Sequence, residues 1–182
     1  MKQYVTLTAL VSASALLVLS HSAMAVNTIT FDGEVTTQTC TVNVEGSADP
    51  VILLSSIPQA DLDGAVGTPG GETSFNINLV DCAAGAADET YTTRFAAVNP
   101  TSTGNLSNTA ASRATGVALQ LLNAPGGTPV DFSNGPVDAG TIELAAGDTT
   151  ASGTYAVQYI SEDASVGVGP VTGAVMYTVR YE

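Results

Sequence analysis

Few side chains that commonly perform catalysis occur in this sequence, and most of those that do occur are acidic. Two pairs of carboxylates lie close together in the chain, Asp61 with Asp63 and Asp88 with Glu89, and a glycoside hydrolase needs two such groups. Both pairs lie in stretches rich in glycine or other small residues, with no aromatic platform beside them, and the chain has no tryptophan. We therefore interpret these acids as solvated loop residues.

The single histidine, His21, lies in an N-terminal leader, so the rest of the chain has none. Without histidine, Ser-His-Asp and Cys-His catalytic sites cannot be built, and zinc sites lose a usual ligand. The segment around Asp61 and Asp63 has two ligands of a calcium loop but lacks the others. The sequence thus predicts no enzyme, no cofactor and no metal site.

Residues 1–25 have the features of a secretory signal peptide. Lys2 precedes an apolar run over residues 7–19, and Ala23 and Ala25 form an A-x-A cleavage site. The run is shorter than the roughly 18 residues that a membrane span requires, and no later apolar stretch is long enough. We expect an exported protein with no membrane span.

Removal of the leader would leave three arginines and seventeen acidic residues, and so a formal charge of −14. So acidic a surface repels phosphate backbones, which argues against nucleic acid as a partner. Cys40 and Cys82 are the only cysteines, and two cysteines in an exported chain usually pair. Because closing this loop contributes about 4 kcal/mol in the chain-entropy description, we predict a structural disulfide.

Alternating apolar residues indicate a chain built from strands. Such segments occur at residues 74–82, 91–98, 116–122, 153–160 and 171–182, separated by turn-forming residues. The apolar residues 51–54 predict a further short buried strand, and no window shows sustained helical periodicity. Many short strands with turn signals every eight to twelve residues or so are typical of an antiparallel β-sandwich.

The first strand of the mature chain alternates strictly, which indicates one buried face. The residues on that face are Ile29, Phe31, Gly33 and Val35. This strand lies at a chain end, where segments usually fray. From Cys40 onward the inward-facing residues fall at even-numbered positions instead of odd-numbered ones. The register of the alternation therefore changes within residues 36–39. Either a bulge bends one strand, or the two parts serve two different sheets.

The last strand is the second unusual segment, because its apolar face is long and it ends the sequence. That face consists of Val175, Tyr177, Val179 and Tyr181. No later strand follows to cover the adjacent sheet edge, and an uncovered apolar edge promotes aggregation unless another strand pairs with it. We therefore expect a spare strand at the start of the chain and an open edge at its end.

Taken in order, these segments resemble the chaperone–usher fimbrial subunits of the type 1 pilin family. The resemblance rests on TITFDGEV followed by Cys40-Thr41-Val42, on FNINLVDC ending at Cys82, on GVALQLL, and on a C-terminal pattern with Gly169 fourteenth from the end and Tyr181 penultimate. It implies an all-β, incomplete immunoglobulin-like sandwich of six strands, whose seventh strand is donated by a chaperone or a neighbouring subunit.

The same resemblance implies an organisation and a set of partners. Residues 1–25 would be the signal peptide, residues 26–39 the donor-strand extension and residues 40–182 the sandwich domain. The inserted donor face would be Ile29, Phe31, Gly33 and Val35, and the acceptor groove and chaperone-docking strand would include Gly169, Val175, Tyr177, Val179 and Tyr181. The implied partners are a periplasmic chaperone, an outer-membrane usher and neighbouring pilin subunits. We thus expect a structural, non-enzymatic pilus subunit that polymerises head to tail, supports adhesion, and reaches a cell-surface fimbrium through the periplasm.

Two alternatives stay open from the sequence. Only five residues precede Phe31 in the mature chain, a short extension for a shaft subunit that is similar to those of minor tip-adaptor subunits. From a different class, a secreted lectin-like sandwich would bind sugar through exposed tyrosines, with the candidates Tyr155, Tyr159, Tyr177 and Tyr181. Their two-residue spacing is that of strand faces, so packing in the core or at an interface is the preferred interpretation.

Overall fold

The computed structural model describes residues 40–48 and 50–182. The chain divides into two units, Met1–Val35 and Thr36–Glu182, and every described residue belongs to the second. The predicted signal peptide and the predicted donor face lie outside the described residues.

Eight β-strands make up nearly all the regular structure of the described residues. They are β1 (Thr41–Val44), β2 (Pro69–Val80), β3 (Glu89–Ala97), β4 (Leu106–Ser107), β5 (Val117–Leu122), β6 (Val137–Leu144), β7 (Ala151–Ser161) and β8 (Val175–Tyr181). A single 3₁₀ turn, Gln59–Asp61, lies between β1 and β2. No helix in this part of the chain has the length and apolar character needed to cross a membrane. Segments such as GTYAVQYI in β7 favour strands because aromatic and β-branched residues fit a half-buried pleated surface.

The strands form two antiparallel sheets. The first sheet has the order β1-β2-β7-β5-β4, and the second has the order β6-β3-β8. The register shifts between Gly70 and Thr73 where β2 pairs with β7, and between Thr92 and Arg94 where β3 pairs with β6. Such irregularities increase the local twist of a sheet. The two-sheet, all-β architecture confirms the fold class predicted from the sequence.

The main core lies between the two sheets, with Tyr155 of β7 at its centre. The Tyr155 ring centroid lies 5.1 Å from that of Phe95 in β3 and 5.9 Å from that of Phe75 in β2. Tyr155 and Phe95 are each 1 % exposed. The most deeply buried aliphatic side chains in the same core are Ile77, Leu79, Leu121, Ile142 and Leu144. Because burial of such a side chain contributes roughly 1.5–3 kcal/mol, these contacts hold the sheets together.

The prediction of a buried strand at residues 51–54 is wrong. This segment belongs to no strand, and Val51 and Leu53 are 80 % and 84 % exposed. Ile52 and Leu54, in contrast, pack against the main core. The apolar run therefore has one face on the core and one in solvent, and the continuous apolar sequence concealed this alternation.

The interpretation of Glu89 as a solvated loop acid is also wrong. Glu89 is the first residue of β3 and is buried. Its carboxylate accepts a hydrogen bond from the Tyr91 hydroxyl, and a buried carboxylate needs such donors to offset the loss of water. Asp88, one residue earlier, is exposed as expected.

Candidate strand-binding groove

β8 lies at the edge of the three-stranded sheet, and in the described part of the chain it pairs only with β3. Its side chains alternate between half-buried and exposed along the whole strand. The half-buried side chains all pack against the main core, and they are Val175, Tyr177, Val179 and Tyr181. An edge strand of this length presents N–H and C=O groups along its open side, which can pair with another strand.

The predicted acceptor residues of β8 thus lie on one face, and pairing with β3 fixes their positions. Tyr177 lies opposite Phe95, and Tyr181 lies opposite Tyr91. The Tyr91 and Tyr181 ring centroids are 5.6 Å apart in an edge-to-face arrangement, a favourable geometry for two aromatic rings. A strand added beside β8 would meet this row of side chains at every second residue.

Residues 51–57 carry a second row of apolar side chains. This row was not predicted from the sequence as part of the groove. Ile52 and Leu54 pack against the same core as β8, and Ile57 packs against a smaller cluster near Val171. Among the described residues, the backbone of residues 51–57 makes no hydrogen bond to another residue. Within the described part of the chain, this segment and the outer edge of β8 therefore both have unpaired backbone, and both have apolar side chains directed at the core.

A cavity of about 330 Å³ lies where residues 56–59 meet residues 166–171. Its apolar lining includes Ile57, Leu62, Val117, Tyr159, Val166 and Val171. Burial raises the pKa of the Tyr159 phenol above its usual value. The cavity therefore offers uncharged, mainly apolar walls at the Val175 end of β8.

Gly169 lies on the rim of this cavity, six residues before β8 begins. Its φ is +152°, and a Cβ at this position would lie 2.6 Å from Ala114 N and 2.8 Å from Ser112 O. The Ala114 N–H also donates to Pro170 O over 3.1 Å. Glycine is needed here because the two backbones touch, so Gly169 fixes the path of the chain into β8.

The other end of β8 lies beside the disulfide bond, whose predicted pairing is confirmed. Cys40 and Cys82 are bonded, with their Cα atoms 4.1 Å apart. The Tyr91 hydroxyl oxygen lies 3.3 Å from Cys40 Sγ, and Tyr91 contacts Tyr181 at the end of β8. The disulfide therefore anchors the start of the described chain to the far end of the β8 edge.

Tyr91 donates a hydrogen bond to Glu89 Oε2 over 3.1 Å. Burial raises the pKa of Tyr91 to about 12, and the hydrogen bond and the negative charge of Glu89 act in the same direction. A phenol with such a high pKa stays protonated at neutral pH and serves as a donor to the carboxylate. The pair is a structural contact under the disulfide.

The carboxylate pairs singled out in the sequence do not converge. Asp61 and Asp63 lie at the 3₁₀ turn, where Asp63 Oδ1 accepts the Val166 N–H over 2.8 Å. Asp88 and Glu89 lie at the start of β3, and Asp88 Oδ1 accepts the Ala146 N–H over 2.9 Å. Asp63 and Asp88 each support a neighbouring loop, and the two pairs do not flank a common cleft.

The tyrosines considered as a sugar-stacking face are directed at the interior. Tyr155 is buried in the core, and Tyr159, Tyr177 and Tyr181 are half-buried and pack against it. None of the four presents an exposed ring. Their arrangement supports packing, as the two-residue spacing predicted, and leaves no tyrosine platform for a sugar.

Comparison with known proteins places these features in one family. A family model described as Fimbrial protein matches residues 29–182. The chain is 35 % identical to the major fimbrial subunit SMF-1 of Stenotrophomonas maltophilia strain K279a, covering 85 % of this chain and 91 % of the relative. It is 32 % identical to the F17 fimbrial protein of Escherichia coli, covering 85 % of this chain and 86 % of the relative.

Solved structures show a similar fold. The P pilus rod subunit PapA superposes with a TM-score of 0.59 at 19 % sequence identity, over 79 % of this chain and 99 % of PapA. At this identity the likeness concerns the fold alone. It supports the incomplete immunoglobulin-like sandwich that the strand pattern and the two sheets indicate.

Proposed function

This chain belongs to the fimbrial protein family and is a structural subunit of a cell-surface pilus, and from that premise we propose that it polymerises head to tail by donor-strand exchange. In this reaction, residues 26–35 of one subunit lie beside β8 of the next and complete its three-stranded sheet. The observation that carries the proposal is the edge of β8 that no described strand pairs with, together with the four core-directed side chains of β8.

The donor segment fits this edge in pattern and in length. Ile29, Phe31, Gly33 and Val35 recur at every second residue, as the groove side chains of β8 do. Burial of the three apolar donor side chains contributes roughly 1.5–3 kcal/mol each. Each main-chain hydrogen bond along the edge adds about 0.5–1.5 kcal/mol net. Ordering the tail costs about 1–2 kcal/mol per inserted residue, which offsets part of these contributions.

Gly33 suits a place where the groove is shallow, because glycine adds no side chain. Ile52 and Leu54 on residues 51–57 would form the second wall of the groove, opposite β8. The main core beneath, which includes Phe95 and Tyr155, would form its floor. The donor would then be positioned, lined and paired by the groove residues Gly169, Val175, Tyr177, Val179 and Tyr181.

Before polymerisation, the same edge requires a temporary partner, since an exposed apolar strand aggregates. A periplasmic chaperone that lends a strand to β8 would satisfy this need, and an outer-membrane usher would exchange that strand for the donor segment of the next subunit. The signal peptide predicted at residues 1–25 would direct the chain into the periplasm. The subunit would support surface adhesion without a catalytic role, since its acid pairs lie apart and support loops.

Two positions in the pilus suit such a subunit, and we propose the shaft. The relative named a major fimbrial subunit is 35 % identical and favours this position, whereas the five residues ahead of Phe31 are the feature that favours a tip adaptor. Electron microscopy of cells that express this chain as the only subunit, with its chaperone and usher, distinguishes the two. Long fibres are expected for a shaft subunit, and their absence would indicate a tip position.

Donor-strand exchange itself is tested by deletion of residues 26–35 in the same cells. We expect no fibres, while the truncated subunit still co-purifies with the chaperone because β8 is intact. A matched control replaces the outward residues Thr28 and Thr30 with serine and should form fibres normally. Fibres from the deleted chain would contradict donor-strand exchange, whatever the position of the subunit in the pilus.

A further inference from the structure

The sandwich has two ends that expose different groups. The disulfide end comprises the Cys40–Cys82 bond and the loops 81–88 and 145–149, which contact each other through a hydrogen bond from Gly147 N–H to Gly85 O of 2.9 Å. The exposed acids on these loops are Asp81, Asp88 and Asp148. The disulfide end is therefore acidic.

The opposite end, which we call the arginine end, comprises residues 61–68, 112–116 and 162–170. Hydrogen bonds join these segments, from Gly64 N–H to Ala164 O over 2.9 Å and from Gly167 N–H to Thr115 O over 2.8 Å. Arg113 is exposed here. Two apolar side chains also face solvent, Val168 at 78 % and Val66 at 60 % exposure.

Arg113 differs from the other two arginines of the described chain. Arg94 and Arg180 both lie against Asp138, at 3.6 and 3.2 Å. Arg113 forms no ion pair with any described residue. This holds even though four acids lie at the same end, namely Asp61, Asp63, Glu162 and Asp163. Asp63 and Glu162 are instead engaged by local donors, Val166 N–H and the Asn105 side-chain amide. A guanidinium is thus available at this end to bind a carboxylate of another molecule.

We propose that the arginine end of one subunit docks against the disulfide end of the copy that donates its strand, with Arg113 paired to Asp81, Asp88 or Asp148 of that copy. The partner is a second copy of this chain, and the proposal rests on the donor-strand exchange proposed above. It adds a contact between the folded bodies of successive subunits, outside the groove.

The direction of the donor strand brings these two ends together. Every strand pairing in the described sheets is antiparallel, and an antiparallel donor beside β8 has its Val35 end next to Val175. Val175 lies at the end of β8 away from the disulfide, and six residues earlier Gly169 contacts residues 112–114 of the arginine end. The donor strand would therefore leave the groove towards the arginine end.

The length of the linker then limits how far the second body can lie. Only residues 36–39 separate Val35 from Cys40. Because an extended chain spans at most about 3.3–3.6 Å per residue, Cys40 of the donating copy lies within roughly 18 Å of the point where its Val35 leaves the groove. Cys40 belongs to the disulfide end, so that end of the donating copy would lie near the arginine end.

The exposed apolar side chains suit this contact, and Arg113 supplies the cation that it requires. Two acidic ends brought together without a cation would repel each other, because both carry exposed carboxylates. Arg113 is the cation at the arginine end and can bind a carboxylate with two parallel hydrogen bonds. Coverage of Val168 and Val66 by the second body removes exposed apolar side chains from water.

Cysteine cross-linking in sheared fibres tests the docking. Arg113→Cys is combined in turn with Asp81→Cys, Asp88→Cys and Asp148→Cys, the fibres are oxidised, and boiled samples are separated on a non-reducing gel. At least one pair is expected to give a covalent ladder several-fold stronger than the control pair, in which Thr154→Cys on the outer face of β7 replaces Arg113→Cys. Monomer alone from all three pairs, or a ladder of equal strength from the control, would overturn the docking.

Charge variants provide a second readout that needs no new cysteine. Arg113→Glu fibres should dissociate in detergent at a lower temperature than wild-type fibres, while Arg113→Lys fibres should stay close to wild type. Equal dissociation temperatures for all three would overturn the docking. Failure of the wild-type chain to form fibres at all would instead contradict the proposed shaft position, so the two failures are distinguishable.

Discussion

Gly169 lies so close to Ala114 that a Cβ atom on residue 169 would be 2.6 Å from the Ala114 backbone nitrogen. The neighbouring atoms are backbone, so they cannot move aside as a side-chain tip could. We predict that Gly169→Ala destabilises the subunit by about 1–3 kcal/mol, the usual cost of overpacking, in addition to its backbone strain. Chemical denaturation of the subunit measures the loss.

Gly147 provides the matched control for this substitution. Its φ of +85° is also unfavourable for other residues, but no atom lies within 4 Å of the position of its Cβ. Gly147→Ala should therefore show the cost of backbone conformation alone. An equal loss of stability in the two variants would mean that the contact with Ala114 is not what requires glycine at position 169.

The Tyr91–Glu89 hydrogen bond predicts a dependence of stability on alkaline pH. The pKa of Tyr91 is raised from 10.0 to about 12 in the folded protein, so the folded state holds this proton more tightly than the unfolded chain does. The resulting stability is fully present below pH 10 and is lost as the pH rises from 10 towards 12. We expect the stability difference between wild type and Tyr91→Phe to shrink over that interval.

Urea unfolding of both proteins between pH 8 and pH 11.5 measures this difference. At pH 8 the variant should be less stable, because the buried Glu89 carboxylate loses one hydrogen-bond donor, a loss of about 1–3 kcal/mol. A difference that stays constant across the pH range would contradict the assignment of a protonated Tyr91 bound to Glu89.

The disulfide is predicted to be needed for a subunit that a chaperone can bind. The double variant Cys40→Ser/Cys82→Ser loses about 4 kcal/mol of loop-closure stabilisation, which is a large part of the roughly 5–15 kcal/mol typical of a domain. A sandwich with an unpaired edge has little stability to spare. Co-expression with the chaperone, followed by measurement of the soluble complex, should show a strongly reduced yield.

Ser133→Ala, which changes an exposed turn residue, is the control for expression and should give wild-type yields. A wild-type yield from the double cysteine variant would show that the groove forms without the bond. The disulfide would then act only later, for example in the stability of the finished fibre.

The sequence predicted the parts of this fold that depend on local alternation. The β8 face is an example, because a period of two places Val175, Tyr177, Val179 and Tyr181 on one side wherever the strand lies. Residues 51–54 were misread since four apolar residues in succession are equally compatible with a buried strand and with a half-exposed edge segment. Which one forms depends on the neighbouring strand, and that is a tertiary contact.

Tertiary contacts also explain why parts of the candidate site could not be predicted. The burial of Glu89 depends on Tyr91 and on the loops at the disulfide end, all of which look polar or small in sequence. Likewise, Arg94 and Arg180 form ion pairs because the fold brings both beside Asp138 on the sheet β6-β3-β8, whereas Arg113 pairs with no described acid. No spacing in the sequence distinguishes these three arginines.

A chaperone-docking role for β8 predicts that a charge on its groove face blocks the chaperone. Val179→Asp places a carboxylate on the row that packs against the core, where an unpaired charge is costly. Thr178→Asp, one residue earlier, places the same charge on the exposed face. Co-purification with the chaperone should be lost for Val179→Asp and kept for Thr178→Asp, and equal behaviour of the two would mean that the chaperone binds elsewhere.

The donor assignment of residues 26–35 predicts that a peptide can replace them. A subunit lacking these residues should be stabilised by the synthetic peptide VNTITFDGEVTTQ, because a ligand that binds only the folded state raises its stability by mass action, by about 2.7 kcal/mol at a hundredfold excess over Kd. The measurement is the melting temperature of the truncated subunit with and without peptide. We expect a clear rise in melting temperature that depends on peptide concentration.

Substitutions in the peptide make this prediction specific to one face. Phe31→Asp should remove most of the protection, since it brings an unpaired charge into an apolar groove. Gly33→Leu should weaken the protection because a side chain would meet a shallow floor, and Thr30→Ser, on the outward face, is the control and should protect as well as the parent peptide. If the Phe31→Asp peptide protects equally, the inserted face is assigned wrongly, and residues 26–35 belong to their own sandwich.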